Sequence, residues 1–275
     1  MADDDLADFE KTRFGATGDE FTVYRKGTGP AVIVIAEMPG ITPEVAAFGR
    51  RVADIGCTAV LPSLFGTDGR DALPSAHGTI AAARTALGTM TSACISKEFT
   101  VLATGRSSPV VAWLRALARS EHDRCGGPGV GAIGMCFTGG FALSMAVDDR
   151  LLAPVLAQPG LPFAVTPGRA RNIDISPADL QTVKQRCAAG LQVKGVRFSG
   201  DRMCPRSRFR FLRDQLGDAF LATEVPNSAA NKNVPVPPHS PMTLHLVDEP
   251  GEPTREALDE VLAFFVDRLQ VTPPD

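Results

Sequence analysis

The chain lacks several things that would have pointed elsewhere. No run of apolar residues approaches the ~20 needed to span a bilayer, so no membrane segment is expected. Its net charge is only -3, with none of the basic footprint of a nucleic-acid binder. The start, Met-Ala-Asp-Asp-Asp-Leu, is acidic and lacks a basic segment followed by an apolar one. No secretory signal is visible there, and a cytoplasmic location is expected. The six cysteines, Cys57, Cys94, Cys125, Cys136, Cys187 and Cys204, are widely scattered. None forms a Cys-x-x-Cys pair or has zinc-like spacing with the four histidines, so no metal site is expected. In a chain without a signal most of these thiols are expected to be reduced and structural. No internal repeat is visible.

What is present suits a soluble protein with a large core: 275 residues, 44% hydrophobic and 21% charged. Ala31–Ala36 is a continuous apolar, β-branched run of the kind a buried parallel strand shows. Thr42-Pro43 then opens a helix whose apolar face is Val45, Phe48, Val52 and Ile55, Gly56 ends it, and residues 58–61 form the next strand. Further strands are expected at 21–24, 130–133, 151–157 (with Pro154 against it), 192–198 and 220–225. Residues 75–121 read as mostly helical. Further helices are expected from 141, after Ser176-Pro177, through Phe209 and Leu212, and from a Thr254 cap through Leu258, Val261, Leu262, Phe265 and Leu269. Strands alternating with helices predict an α/β fold with a mainly parallel sheet in three αβα layers. Residues 1–20 are polar and are expected to form an arm or an early edge hairpin, and residues 21–275 a single α/β domain.

The richest segment is Gly134-Met135-Cys136-Phe137-Thr138-Gly139-Gly140, between a predicted strand and a predicted helix. A nucleophile framed by small residues at such a turn is a nucleophile elbow, here with cysteine at its centre. Gly134 and Gly139 leave room for strand and helix to approach. The new helix aims its N-terminus at the sulfur, and the Phe137 amide can donate to an oxyanion. The plain alternative is a buried structural thiol in a Gly-rich turn. A nucleophile needs a base and the base an orienter, in the chain order nucleophile, acid, histidine. Asp201 ends the strand at 192–198, and His239 lies in the loop after 220–225, both at carboxyl ends of strands. His245 is a rival base, but Thr243–Val247 alternates apolar and polar, which fits a structural position better, so His239 is preferred. His77 and His122 read as structural or exposed.

These residues carry a family resemblance. Ala36–Gly40, Gly134–Gly140, Gly200–Pro205 and His239-Ser240 together resemble the dienelactone hydrolase family of α/β-hydrolases, over roughly residues 20–270. The resemblance implies an α/β-hydrolase fold, a Cys136–His239–Asp201 triad, no cofactor, and a small ester or lactone as the molecular partner of a monomer or homodimer. It implies that Glu37 sits close to the resting cysteine and is freed by substrate to take the thiol proton. The amides of Met38 and Phe137 match the family's oxyanion hole. Two departures stand out. Thr138 occupies the family's usual glycine position two residues after the nucleophile, which is expected to tighten the turn and shift the helix start. No arginine follows His239 in Ser240–Thr243 to hold a substrate carboxylate, and Arg70, Arg84 and Arg206 are the candidates to substitute in space. An acyltransferase or thioesterase with the same site, a non-catalytic small-molecule scaffold, and a thiol redox sensor with Cys204 as partner are the other readings.

Overall fold

Val130–Met135 has no exposed residue and Ala31–Ile35 none either, as strands covered on both faces must be. They are the centre of the sheet. The structure is a computed structural model that describes residues 2–71 and 107–272. Among the described residues eight strands form one sheet: β1 (Glu10–Ala16), β2 (Asp19–Gly27), β3 (Ala31–Ile35), β4 (Thr58–Ser63), β5 (Val130–Met135), β6 (Leu151–Ala157), β7 (Val193–Phe198) and β8 (Phe220–Val225). Their order is β1-β2-β4-β3-β5-β6-β7-β8. The β1–β2 and β2–β4 ladders are antiparallel and the rest parallel.

Successive side chains of a strand point to opposite faces, and each face here finds its own core. Ala31, Ile33 and Ile35 pack with α2 (Val110–Cys125) and α3 (Phe141–Met145), and the same core takes in residues of α5 (Pro177–Ala188) and α6 (Arg206–Leu216). Val32 and Val34 pack with α1 (Pro43–Asp54) and α7 (Pro253–Arg268) on the other side. A short α4 (Pro167–Ala170) lies in the loop after β6. This is the three-layer α/β-hydrolase arrangement. The caps follow the sequence signals at α1, where Thr42 Oγ1 accepts from the Val45 amide, and at α5, where Ser176 Oγ accepts from Asp179.

Several elements differ from expectation, for local reasons. Residues 10–16 form the edge strand β1, the hairpin alternative, and Leu6 and Phe9 before it are buried. Pro154 is accommodated in β6 because the ladder to β7 begins only at Val155. Thr254 does not cap α7: the helix starts at Pro253, and the Thr254 hydroxyl bonds the Val247 backbone. Residues 241–245 form a turn, in which the amides of Thr243, His245 and Leu246 bond back to Ser240 and Thr243 carbonyls. Of the helical stretch expected over 75–121, residues 72–106 lie outside the described residues, and α2 covers the end of it.

Candidate active site

The elbow follows from steric exclusion at its glycines. A Cβ on Gly134 would stand 2.1 Å from the Thr138 carbonyl oxygen, and one on Gly139 would stand 2.4 Å from the Pro159 Cα. Gly134 therefore lets the turn fold back on its own strand, and Gly139 admits the loop after β6. Between them Cys136 has φ +52°, the left-handed conformation that only an over-determined turn imposes on such a residue. The Gly160 amide, in that same loop, donates to the Cys136 carbonyl at 2.7 Å. The chain leaves the elbow through a short 3-10 turn, Cys136–Thr138, and α3 begins only at Phe141. The expected helix-dipole support for the sulfur is thus reduced: five helical residues align few peptide dipoles.

Asp201 is buried just after β7. Its Oδ1 accepts from the amides of Met203 (2.8 Å) and Cys204 (3.2 Å), which fixes the carboxylate in a local turn. Its Oδ2 lies 2.7 Å from His239 Nδ1, so the ring donates Nδ1–H to the acid. Nε2 is left buried without a hydrogen bond among the described residues. Burial works against a charged ring. The neighbouring sulfur of Cys136 and the Asp201 carboxylate outweigh it and hold the His239 proton affinity well above the ordinary imidazole value of 6.5. Cys136, His239 and Asp201 therefore meet. His245 is buried elsewhere: its Nδ1 accepts from the Ser240 amide, its Nε2 lies 3.2 Å from the Val236 carbonyl, and burial lowers its proton affinity. It shapes the loop that presents His239.

Glu37, directly after β3, is buried as expected, but its bonds go elsewhere than to sulfur. Oε2 accepts from Ser240 Oγ (2.5 Å) and Gln158 Nε2 (3.2 Å), and Oε1 accepts from Thr243 Oγ1. Two of these partners closely follow His239 in the chain. Gln158, fully buried after β6 with φ +35°, was not foreseen from the sequence. Its only signal was a polar residue at the end of an apolar strand beside the elbow. Ile35 pairs with Gly134, so Met38 and Phe137 each lie three residues beyond that pair, on adjacent strand ends. Phe65, after β4, meets the Phe137 ring edge-on at 6.1 Å.

Of the carboxylate-binding candidates, Arg70 lines a shallow surface cavity with Asp3, Asp4 and Asp68, and Arg206 is exposed in the first turn of α6. Arg84 lies outside the described residues. The unforeseen arginine is Arg208. Fully buried, it donates to the carbonyls of Pro159, Pro162, Arg169, Asn172 and Met203. It staples the loop after β6 to the segment that carries Asp201. The described cysteines are all free. Burial pushes the Cys57 thiol up to about 12 and the Cys204 thiol higher still, so neither is an active thiol at neutral pH. Among the described residues no cluster of His, Cys, Asp or Glu suits a metal ion, and no helix is long and apolar enough to cross a membrane.

Residues 20–175, more than half of the chain, match the model of the dienelactone hydrolase family. No curated protein matches. Solved structures do. A dienelactone hydrolase candidate from Klebsiella pneumoniae subsp. pneumoniae MGH 78578 is 18% identical, with a TM-score of 0.60 over 94% of this chain and 98% of that one. P91, a dienelactone hydrolase-like promiscuous phosphotriesterase from metagenomic libraries, is 16% identical, with a TM-score of 0.56 over 94% and 98%. A cold-adapted esterase from an Arctic intertidal metagenomic library is 14% identical, with a TM-score of 0.54 over 95% and 93%. At these identities the likeness is one of fold.

Proposed function

Because the chain belongs to the dienelactone hydrolase family, a family of hydrolases, we propose that it cleaves a small carboxylic ester or lactone through Cys136, with His239 as base and Asp201 as its orienter. The observation that carries this reading is the 2.7 Å contact of His239 Nδ1 with Asp201, which leaves Nε2 buried and free in a ring whose proton affinity the nearby Cys136 sulfur raises.

Asp201 holds the tautomer in which Nδ1 carries hydrogen, so Nε2 is the nitrogen that takes the thiol proton. The sulfur then attacks the carbonyl carbon. The oxyanion forms against the amides of Met38 and Phe137, and collapse expels the alcohol oxygen, which takes the proton back from Nε2. The product of this half is a thioester on Cys136. His239 next deprotonates a water that attacks the thioester, and the acid leaves as the thiol is restored. Glu37, once substrate has freed it from the hydroxyls of Ser240 and Thr243, is the first base for the resting thiol and passes that proton on to Nε2. In its resting position it anchors the loop of His239.

The test is an aryl ester and a mass spectrum. Wild-type protein mixed rapidly with the ester should gain one acyl group on the peptide containing Cys136. Cys136→Ala should fold and lose turnover by on the order of 10⁴-fold or more. Full turnover in that variant would overturn the reading.

A further inference from the structure

The β3–β5 ladder ends at Ile35 and Gly134, yet the groups proposed to do the chemistry lie past that point on both strands. Cys136 turns upward from β5, and Glu37 and Met38 continue from β3. Beyond the last paired residues the ladder no longer fixes one strand end against the other. Thr138 stands in that gap. Its side chain is fully buried, and its Oγ1 lies 2.9 Å from the Ile35 carbonyl, 3.2 Å from the Ala36 carbonyl and 3.0 Å from the Met135 carbonyl. It also accepts from the Met135 amide at 3.0 Å. A hydroxyl has one proton to give, and the Ile35 carbonyl is the nearest acceptor. The same oxygen thus accepts from the residue before the nucleophile and donates to the strand that leads to Met38.

We infer that Thr138 is a positioning residue that sets the nucleophile elbow against the strand end bearing the Met38 amide, in place of the ladder bonds missing there. The inference rests on the Cys136 reading above. Attack on a carbonyl needs sulfur and both oxyanion amides in one geometry, and a displacement of about 1 Å there costs about 100-fold in rate. Simple alkylation of the sulfur needs no oxyanion site. Loss of the hydroxyl should therefore separate the two reactions, whereas a group that merely supports the fold would move neither per folded molecule.

The experiment measures two rates on the wild type, Thr138→Val and Thr138→Ser, each counted per titratable Cys136. One is single-turnover acylation by an aryl ester and the other is alkylation by iodoacetamide. In Thr138→Val, acylation should fall about 10-fold or more while alkylation stays within about twofold. Thr138→Ser, which keeps the hydroxyl, should restore acylation. Should the valine variant fail to fold, Thr138→Ala set against Thr138→Ser makes the same comparison. Unchanged acylation without the hydroxyl, or an equal fall in both rates, would overturn the inference. A wild type that forms no acyl-Cys136 would instead overturn the reading beneath it and take the inference with it.

Discussion

His239 sits between the Asp201 carboxylate and the Cys136 sulfur, and its titration follows from them. The imidazole's proton affinity is raised, so the stability its charged form contributes is complete below about 6.5 and is lost as pH climbs through the raised value. Replacing Cys136 by serine removes the sulfur's share of that effect. The His239 ring signals in an NMR titration should then move to lower pH, and urea-derived stability should fall off at lower pH than in the wild type. An unchanged titration would mean that the sulfur does not face the ring. Glu37 supports a second prediction at this scale. Glu37→Gln replaces an acceptor with an amide that cannot accept from Ser240, Thr243 and Gln158 together. It should cost about 1–3 kcal/mol of stability in urea unfolding, with loss of esterase activity even where the thiol stays reactive. The proposed triad rests on chain order, because each member ends a strand or lies in the loop after one. The partners of Glu37 could not be read that way. Gln158 and Thr243 reach it across long sequence separations, and a carboxylate after an apolar strand does not say which distant hydroxyls fold onto it.

At the level of elements, the elbow glycines divide by what a methyl group would meet. Gly134→Ala and Gly139→Ala drive a Cβ into backbone at 2.1 and 2.4 Å, and each should lose stability by about 1–3 kcal/mol or more together with activity. Gly160→Ala meets its nearest atoms at an ordinary 3.4 Å. Its melting temperature should stay near the wild-type value, and a large drop would contradict the packing described. The strands were legible for the same kind of reason: β3 and β5 are apolar throughout, and only a strand covered on both faces uses such a run. The alternation at 243–247 belongs to a turn and its exit, whose polar side chains find partners inside the protein. Here Thr243 turns inward to Glu37 and His245 to the Ser240 amide. Thr254 resembled a cap because threonine so often is one, but Pro253 had already opened the helix.

The molecule as a whole is tied together by buried charges that sequence alone does not pair. Arg25 of β2 meets Glu121 of α2 at 2.6 Å with both side chains buried, and it also binds Thr12 on β1. Glu121→Ala would leave Arg25 buried and unpaired and should cost about 3–5 kcal/mol, read as a lowered urea midpoint. Arg208 plays the corresponding part on the same face, toward the opposite edge of the sheet, where one guanidinium gathers the carbonyls of the loop after β6. The family match ends at residue 175, whereas Asp201, Arg208 and His239 all lie beyond it. That division has a consequence for the protein during its synthesis. The cysteine leaves the ribosome well before the acid, the histidine and the arginine that steadies the neighbouring loop. On the proposed chemistry, the nascent chain carries an idle thiol, and the sulfur acquires its reactivity only when the last third of the polypeptide has docked. Its reaction rate is then a clock for the completion of folding, and a chain stalled short of the histidine stays chemically quiet.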